Sequence, residues 1–182
     1  AWVKEAARRG LPNIDNMVDT VEVLTKDKSV KLFERFGIFT KAELESRAEI
    51  LYETYSKTIN IEAKTMLAMS KQQIVPAVLK YQKTLAETVY FTRQIGMDAT
   101  VSEELLLAVT QLLKETKTAI DTLQEVTDTA KTLADGKDKA VYYRDKVTTA
   151  MKSLRIPVDK LEMIVDKEIW PMPTYADLIF EV

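Results

Sequence analysis

The chain has 182 residues, of which 46% are hydrophobic and 30% are charged, with a formal net charge of -2 at pH 7. That length can form one good hydrophobic core without disulfide or metal staples, and the balanced charge excludes the basic surface that nucleic-acid or anionic-membrane binding requires. Cysteine and histidine are absent, which removes the usual general base near neutral pH and the commonest ligand for zinc, copper or non-haem iron.

Residues 1–38 predict short helices separated by turns. The opening AWVKEAARRG follows helical periodicity and stops at Gly10, a residue typical of the position after a helix. A second helix is predicted over about residues 14–24 and a third over residues 29–36. Because the chain begins within a helical pattern and without methionine, we expect it to be the C-terminal part of a longer polypeptide.

The TKAE motif at residues 40–43 predicts the start of a much longer helix, because threonine and glutamate three residues apart form a capping box. Apolar or small residues then recur every three or four positions, and only Pro76 interrupts the pattern before Gly96. At 1.5 Å per residue, such a helix of roughly 55 residues would be ~80 Å long. Pro76 is expected to kink it, since proline lacks a backbone donor and crowds the preceding turn.

A second capping-box motif, TVSE at residues 100–103, predicts the start of the next helix, which ends near Gly136. A third helical segment follows over about residues 140–165, with Pro157 expected in a first turn. No segment of useful length shows the alternation of a β-strand. The sequence therefore predicts an all-α antiparallel bundle with one very long, Pro-kinked helix and short N-terminal helices.

The C-terminal tail WPMPTYADLIFEV, residues 170–182, is unusually apolar for a chain terminus. We expect an extended tail, because its prolines disfavour helix. The candidate docking residues are Trp170, Pro171, Pro173, Tyr175, Leu178 and Phe180. Two interpretations stay open: the tail folds back onto its own helices, or it docks against another domain or subunit. The predicted regions are thus residues 1–38, the bundle at 39–169, and this tail.

The sequence offers few candidates for chemistry. Four glutamates on the predicted long helix could suggest a di-metal site: Glu43, Glu45, Glu49 and Glu53. Such sites also need a Glu-x-x-His motif, so without histidine a solvated acidic face is favoured. No glycine-rich phosphate loop occurs, and adjacent Ser70 and Lys71 would point to different helix faces. We interpret Met66, Met69 and Met97 as core filler. No catalytic, cofactor-binding or metal-ligating residue is assigned.

Four longer stretches carry a family resemblance. They are RGLPN (9–13), LFERFGIFTKAELESR (32–47), YSKTINIEAKTMLAMSKQQIVPAVLKYQ (55–82) and, over 142–180, YYRDKV, MKSLR and LEMIVDKEIWPMPTYADLIF. Together they resemble the C-terminal domain of type III glutamine synthetase. The resemblance implies a longer enzyme that joins glutamate and ammonia at the expense of ATP through γ-glutamyl phosphate. It implies Mg²⁺ or Mn²⁺ and an upstream catalytic domain that supplies their ligands.

The same resemblance implies a dodecamer of two hexameric rings, in which this chain is a non-catalytic structural or assembly domain. Its partners would then be its own catalytic domain and neighbouring subunits, in the cytoplasm and without nucleic acid or membrane. The alternative is a free-standing helical binding, scaffold or sensor module. The run TKTAIDTLQEVTDTAKTLAD would suit a signalling bundle. Whether the domain makes ring contacts, stabilises one subunit or regulates activity stays open.

Overall fold

The structure, a computed structural model, describes residues 2–173 and 175–180. Over these residues it contains helices and no strand, so the all-α prediction is confirmed. The helices are α1 (Trp2–Arg8), α2 (Met17–Leu24), α3 (Asp27–Arg35), α4 (Lys41–Met69), α5 (Val75–Gln94), α6 (Thr100–Thr132), α7 (Lys137–Tyr142), α8 (Thr148–Glu162) and α9 (Tyr175–Phe180). Two π-turns, Ser70–Ile74 and Tyr143–Val147, join α4 to α5 and α7 to α8. None of the helices in the described part of the chain is long and apolar enough to cross a membrane.

The predicted capping box at the start of α4 is formed. The backbone N–H of Thr40 donates to Glu43 Oε2 over 2.7 Å, and the backbone N–H of Glu43 donates to Thr40 Oγ1 over 3.3 Å. The bond from the Thr40 backbone, followed by that from its hydroxyl, lowers the pKa of the Glu43 carboxyl. Two N–H groups that a helix start leaves unpaired are thereby satisfied.

The second predicted capping box is wrong. Thr100 is the first residue of α6, and its backbone N–H donates to Asp98 Oδ1 over 3.0 Å. Glu103 Oε1 instead lies 2.5 Å from Arg93 Nε. An aspartate just upstream takes the capping role, so the glutamate is free to pair with the end of the preceding helix.

The two prolines inside long helices are accommodated differently. Pro76 directly follows the π-turn Ser70–Ile74, in which the Val75 N–H bonds to Ser70 O five residues back. The widened turn takes up the irregularity that proline introduces, and residues 41–94 form one joined helix of 54 residues. Pro157 lies inside α8 rather than in a first turn, so that prediction is wrong. Burial of its ring offsets part of the cost of the missing donor.

The chain packs as two compact units. Unit 1 is drawn from residues 1–61 and 129–146, and unit 2 from residues 62–128 and 147–182. These boundaries differ from the three regions expected from the sequence, because a long helix contributes to whichever core its local face contacts. The division at residues 38 and 170 stays a prediction.

The core of unit 1 joins α2, α4 and α7. Its buried members are Val18, Val21, Ala48, Tyr52 and Ala140. Two ion pairs reinforce it: Arg144 Nη1 to Asp19 Oδ1 over 2.6 Å, and Lys137 Nζ to Glu22 Oε2 over 2.8 Å.

Unit 2 is built on an antiparallel helical hairpin. Three polar contacts cross it: Arg93 with Glu103 over 2.5 Å, Gln82 with Thr110 over 2.7 Å, and Lys71 with Gln124 over 2.8 Å. Along these three contacts the residue number on the first segment of the hairpin falls from 93 to 71 while the number on α6 rises from 103 to 124, so the two helical segments run in opposite directions. The buried core contains Ile74, Val78, Leu85, Val109, Leu161, Val165 and Trp170.

Candidate functional site

Trp170, the first residue of the predicted docking tail, is only 8% exposed and packs in the core of unit 2. Its indole Nε1–H has no hydrogen-bond acceptor among the residues that the structure describes. The start of the tail therefore folds back onto its own helices, which is the first of the two interpretations left open by the sequence.

The rest of the tail is partly helical rather than extended. Pro171 and Pro173 are exposed and non-helical, whereas Tyr175–Phe180 forms α9. Proline restricts only itself and the residue before it, so helix can resume beyond Pro173. Leu178 is 68% exposed, while the side chains of Tyr175 and Phe180 lie outside the described residues. The docking role of these tail residues stays a prediction.

Two polar groups hold α9 close to the preceding segment. Lys167 Nζ lies 2.6 Å from Asp177 Oδ1, and the Asp177 side chain is only 17% exposed. An aspartate in the first turn also interacts favourably with the positive end of a helix dipole. The exposed side of α9 is consequently presented at a defined place within unit 2.

An apolar groove of about 380 Å³ lies beside Trp170 in unit 2. Its apolar lining comprises Met66, Met69, Ile74, Leu154, Val158, Trp170, Met172 and Pro173, and its polar lining comprises Ser70, Arg155, Asp159 and Glu162. The methionine side chains are unbranched and adapt to irregular shapes. The groove is therefore suited to an apolar side chain, and its charged lining residues could contact a polar group at the end of that side chain.

A second apolar surface lies where α5 turns into α6. We call it the apolar tip and define it by Tyr90, Phe91, Ile95, Met97 and Val101. All five side chains are 59% or more exposed, and Ile95 and Val101 reach 72%. The Tyr90 and Phe91 rings contact each other with centroids 5.4 Å apart. A cluster of large apolar side chains at one bend is the kind of exposed patch that marks an interaction site.

The apolar tip was not predicted from the sequence, because an apolar repeat every three or four positions does not show which apolar residues are left exposed. Met97 is interpreted from the sequence as core filler, but the structure exposes it. One signal was available: consecutive large apolar residues such as Tyr90 and Phe91 cannot both face one side of a helix.

The carboxylates that might have formed a metal site are separated instead. Glu53 pairs with Lys57 over 2.5 Å, Glu45 lies 3.7 Å from Lys41, and Glu43 caps its own helix. No group of three or more Asp, Glu, His or Cys side chains that could hold a metal ion occurs within residues 2–173 and 175–180. That these glutamates serve only as a solvated acidic face stays a prediction.

The polar residues of the two π-turns are also packed or paired within the structure. Ser70 is buried at the start of the first π-turn, while the Lys71 ammonium donates to Gln124 Oε1 over 2.8 Å. Arg144 in the second π-turn donates to the carboxylates of both Asp145 and Asp19. The hydrogen bond with Asp145 is the main cause that raises the pKa of Arg144 and lowers the pKa of Asp145. These contacts fix backbone segments and leave no assembled nucleophile in either π-turn.

Comparison with known proteins identifies relatives over the whole chain. A family model described as the glutamine synthetase C-terminal domain matches residues 1–93, just over half of the chain. Glutamine synthetase of Butyrivibrio fibrisolvens is 33% identical over an alignment that covers 100% of this chain and 26% of the relative. Glutamine synthetase of Bacteroides fragilis (strain YCH46) is 30% identical over 98% of this chain and 25% of the relative.

The type-3 glutamine synthetase of Dictyostelium discoideum is 28% identical over 98% of this chain and 25% of its own length. The chain thus spans about a quarter of the length of the curated relatives it matches. The similarity includes the segments that form α6–α9, beyond the part matched by the family model.

Proposed function

Because this chain belongs to the glutamine synthetase C-terminal domain family, we propose that it is the non-catalytic C-terminal domain of a type III glutamine synthetase and helps to hold the subunits of that enzyme together. The observation that carries this proposal is the apolar tip, a group of large exposed apolar side chains at the end of a long helical hairpin. Relatives about four times as long supply the context of a larger enzyme.

The whole enzyme would join ammonia to the γ-carboxyl of glutamate at the expense of ATP, through γ-glutamyl phosphate. Its ATP and divalent-metal sites, for Mg²⁺ or Mn²⁺, would lie in a catalytic domain outside this sequence. In this proposal the present chain contributes no catalytic group. It contributes helices whose exposed faces fit other surfaces of the same enzyme, in the cytoplasm and without nucleic acid or membrane.

We assign the apolar tip to a neighbouring subunit of a homo-oligomer, with the dodecamer of two hexameric rings as the expected assembly. Burial of apolar surface contributes about 25 cal/mol per Å². Large side chains such as Phe91 and Ile95 are therefore effective anchors, as interface energetics generally concentrate in a few such residues. The Arg93–Glu103 ion pair lies beside these anchors and suits the polar rim of an interface.

The test uses the full-length enzyme with Ile95→Glu, alone and combined with Phe91→Glu. A carboxylate placed in an apolar contact must be desolvated, so we expect the large assembly to dissociate. Solution mass by light scattering and ATP-dependent glutamine formation are measured on the same preparation. We expect the mass to fall, with activity falling alongside it if active sites depend on subunit contacts.

The matched control is Ile156→Glu, the same chemical change at an isoleucine on α8 that is 58% exposed. It should leave the mass unchanged. Thermal unfolding confirms that each variant is folded. If the double variant keeps the full mass while folded, the assembly role of the tip is wrong. If this chain is translated without a catalytic domain, the free-standing helical module is the better description.

A further inference from the structure

The apolar groove beside Trp170 is bordered by the first π-turn. Ser70 and Ile74, the first and last residues of that turn, both line this groove of about 380 Å³. Turns of this kind occur frequently at functional sites. All of the lining residues belong to unit 2, and the assembly proposed above, which uses the apolar tip, does not involve the groove.

The buried part of the lining is mostly apolar. Ile74, Leu154 and Trp170 are each 8% exposed or less, and Ser70 is 3% exposed. Trp170 contributes apolar surface here, because its indole N–H is itself buried. Half-buried residues line the groove next to these four: Met66, Met69, Val158, Glu162 and Met172. A ligand in the groove would therefore remove much of its own apolar surface from water, which favours binding.

The volume of the groove suits a small molecule rather than a single side chain. An apolar cavity of ~150 Å³ holds benzene, and sites for small molecules usually measure about 300–1,000 Å³. The groove therefore has room for a body of ring size together with a polar group. Met66, Met69 and Met172 suit such a body, because thioethers adapt to irregular shapes and make favourable contacts with aromatic rings.

The charge of the lining is negative. Its ionic groups are the carboxylates of Asp159 and Glu162 and the guanidinium of Arg155. Arg155 Nη2 lies 3.6 Å from Asp159 Oδ2, and both side chains are more than half exposed. Glu162 has no ion-pair or hydrogen-bond partner among the residues that the structure describes. The unbalanced charge of the groove is therefore the Glu162 carboxylate.

The Glu162 carboxylate is within reach of a ligand. The residue is half-buried, and neither of its unpaired oxygens is a buried atom. A carboxylate accepts hydrogen bonds and donates none, so its complement is a cationic donor. Such charge-assisted hydrogen bonds are roughly twice as strong as bonds between neutral groups.

We infer that this groove binds a free organic ammonium ion whose apolar body is at least the size of a phenyl ring. The ammonium donates to Glu162, and the apolar body lies among the methionines against Ile74 and Leu154. A neutral ligand leaves Glu162 without a counter-charge, and an anion is repelled by it. This inference does not rest on the function proposed above.

The first test titrates the 182-residue chain, carrying Trp2→Phe, with phenethylammonium. The substitution removes the other tryptophan, which is 74% exposed and lies in unit 1, so the emission that remains belongs to Trp170. We expect the emission to change and saturate. Phenethyl alcohol, which has the same body without the charge, should bind about tenfold more weakly. Phenylpropanoate, which carries a negative charge, should not bind.

Methyl NMR of the chain labelled with ¹³C in its methionine methyl groups locates the ligand. Phenethylammonium should shift the signals of Met66, Met69 and Met172. The signals of Met17, in unit 1, and Met97, in the apolar tip, should stay in place. N-acetyl-lysine amide is titrated in the same way, because it carries the ammonium on a linear chain and stands for a lysine side chain of a partner. We expect it to bind far more weakly.

The decisive variant is Glu162→Gln, which removes the charge and keeps the size of the side chain. We expect phenethylammonium to bind about tenfold more weakly, the equivalent of one lost charge-assisted hydrogen bond, and phenethyl alcohol to bind as before. Glu104→Gln makes the same change at an exposed glutamate of α6 outside the groove and should bind as the unaltered chain does. Thermal unfolding confirms that both variants are folded.

Three outcomes would overturn the inference. One is the absence of any response of Trp170 and the three lining methionines, which would mean that the groove is closed to ligands. Another is equal affinity for phenethyl alcohol, or unchanged affinity in Glu162→Gln, which would indicate an apolar site without ion recognition. The third is equal or tighter binding of N-acetyl-lysine amide, which would indicate a protein side chain as the occupant. None of these outcomes bears on the apolar tip, so failure here is distinguishable from failure of the assembly proposal.

Discussion

Arg144 Nη1 lies 2.6 Å from Asp19 Oδ1, and this contact fastens the second π-turn to α2 within unit 1. The pKa of Asp19 is lowered from its ordinary value of 3.8, first by the Asn16 side chain and also by Arg144. A group with a lowered pKa in the folded state contributes stability above its unfolded pKa, and that contribution is lost as pH falls through the folded pKa.

We therefore predict that Asp19→Asn reduces the loss of folding stability as the pH falls into the acid range. The unaltered chain should lose more stability than the variant between about pH 5 and about pH 2, because only the unaltered chain must protonate this paired carboxylate. The thermal midpoint is measured across that range. Asp27→Asn, which removes an acidic residue at the start of α3, is the control; an equal flattening in both variants would contradict the prediction.

Replacing Trp170 should be the most destabilising change in the tail. Trp170→Ala removes a large side chain from the core of unit 2 and should lower the free energy of unfolding by about 3–5 kcal/mol. Leu178→Ala, at a residue that is 68% exposed, should change it by less than about 0.5 kcal/mol. Urea unfolding measures both. Similar small effects would mean that Trp170 is not part of the core in solution.

Two buried threonines on α6 should respond oppositely to valine. Thr127 Oγ1 is buried with no hydrogen-bond partner in the structure, whereas Thr116 Oγ1 donates to Leu112 O over 2.8 Å. Thr127→Val should raise the free energy of unfolding by about 1 kcal/mol, because it removes an unpaired buried hydroxyl without changing shape. Thr116→Val, which loses a bond, should be neutral or destabilising. A loss of stability in Thr127→Val would refute the assignment.

Gly136 and Gly96 should differ in their tolerance of asparagine. Gly136 has φ 123° and ψ -161°, a region that is essentially confined to glycine. Gly96 has φ 73°, in the left-handed region that asparagine also enters. A Cβ would meet nothing within 4 Å at either position, so only the backbone differs. Gly136→Asn should cost about 1–3 kcal/mol and Gly96→Asn clearly less; chemical denaturation compares them.

Local chemistry explains which helix boundaries could be predicted. The Thr40–Glu43 capping box is satisfied within four residues, so its sequence signature is nearly sufficient. The same signature at residues 100–103 fails because Asp98 competes for the cap and Arg93 competes for Glu103. Competition from a neighbour in space or sequence is invisible to a motif of four residues.

The interaction surfaces were harder to predict because burial is a property of the packed chain. Periodicity indicates how a helix divides into faces, but not which of two apolar faces is covered. Met97 and Trp170 illustrate this: the interpretation of Met97 as core filler does not fit its exposure, and Trp170 was a docking candidate although it is buried. In unit 1, residues of α4 line one cavity together with residues between 131 and 143, and no periodicity encodes that proximity.

The π-turn Ser70–Ile74 has a further effect on α5. An α-helix rotates by about 100° per residue, and a π-turn holds one residue more than an α-turn, so α5 is rotated by nearly that angle relative to an uninterrupted helix. This rotation directs Val78 and Leu85 into the core of unit 2. Deleting a single residue from the turn would restore an ordinary α-turn and keep both side chains on the core side, whereas the same residues wound as a regular α-helix would rotate both out of that core. In this turn, the number of residues determines which way the α5 side chains face more than it determines the length of the helix.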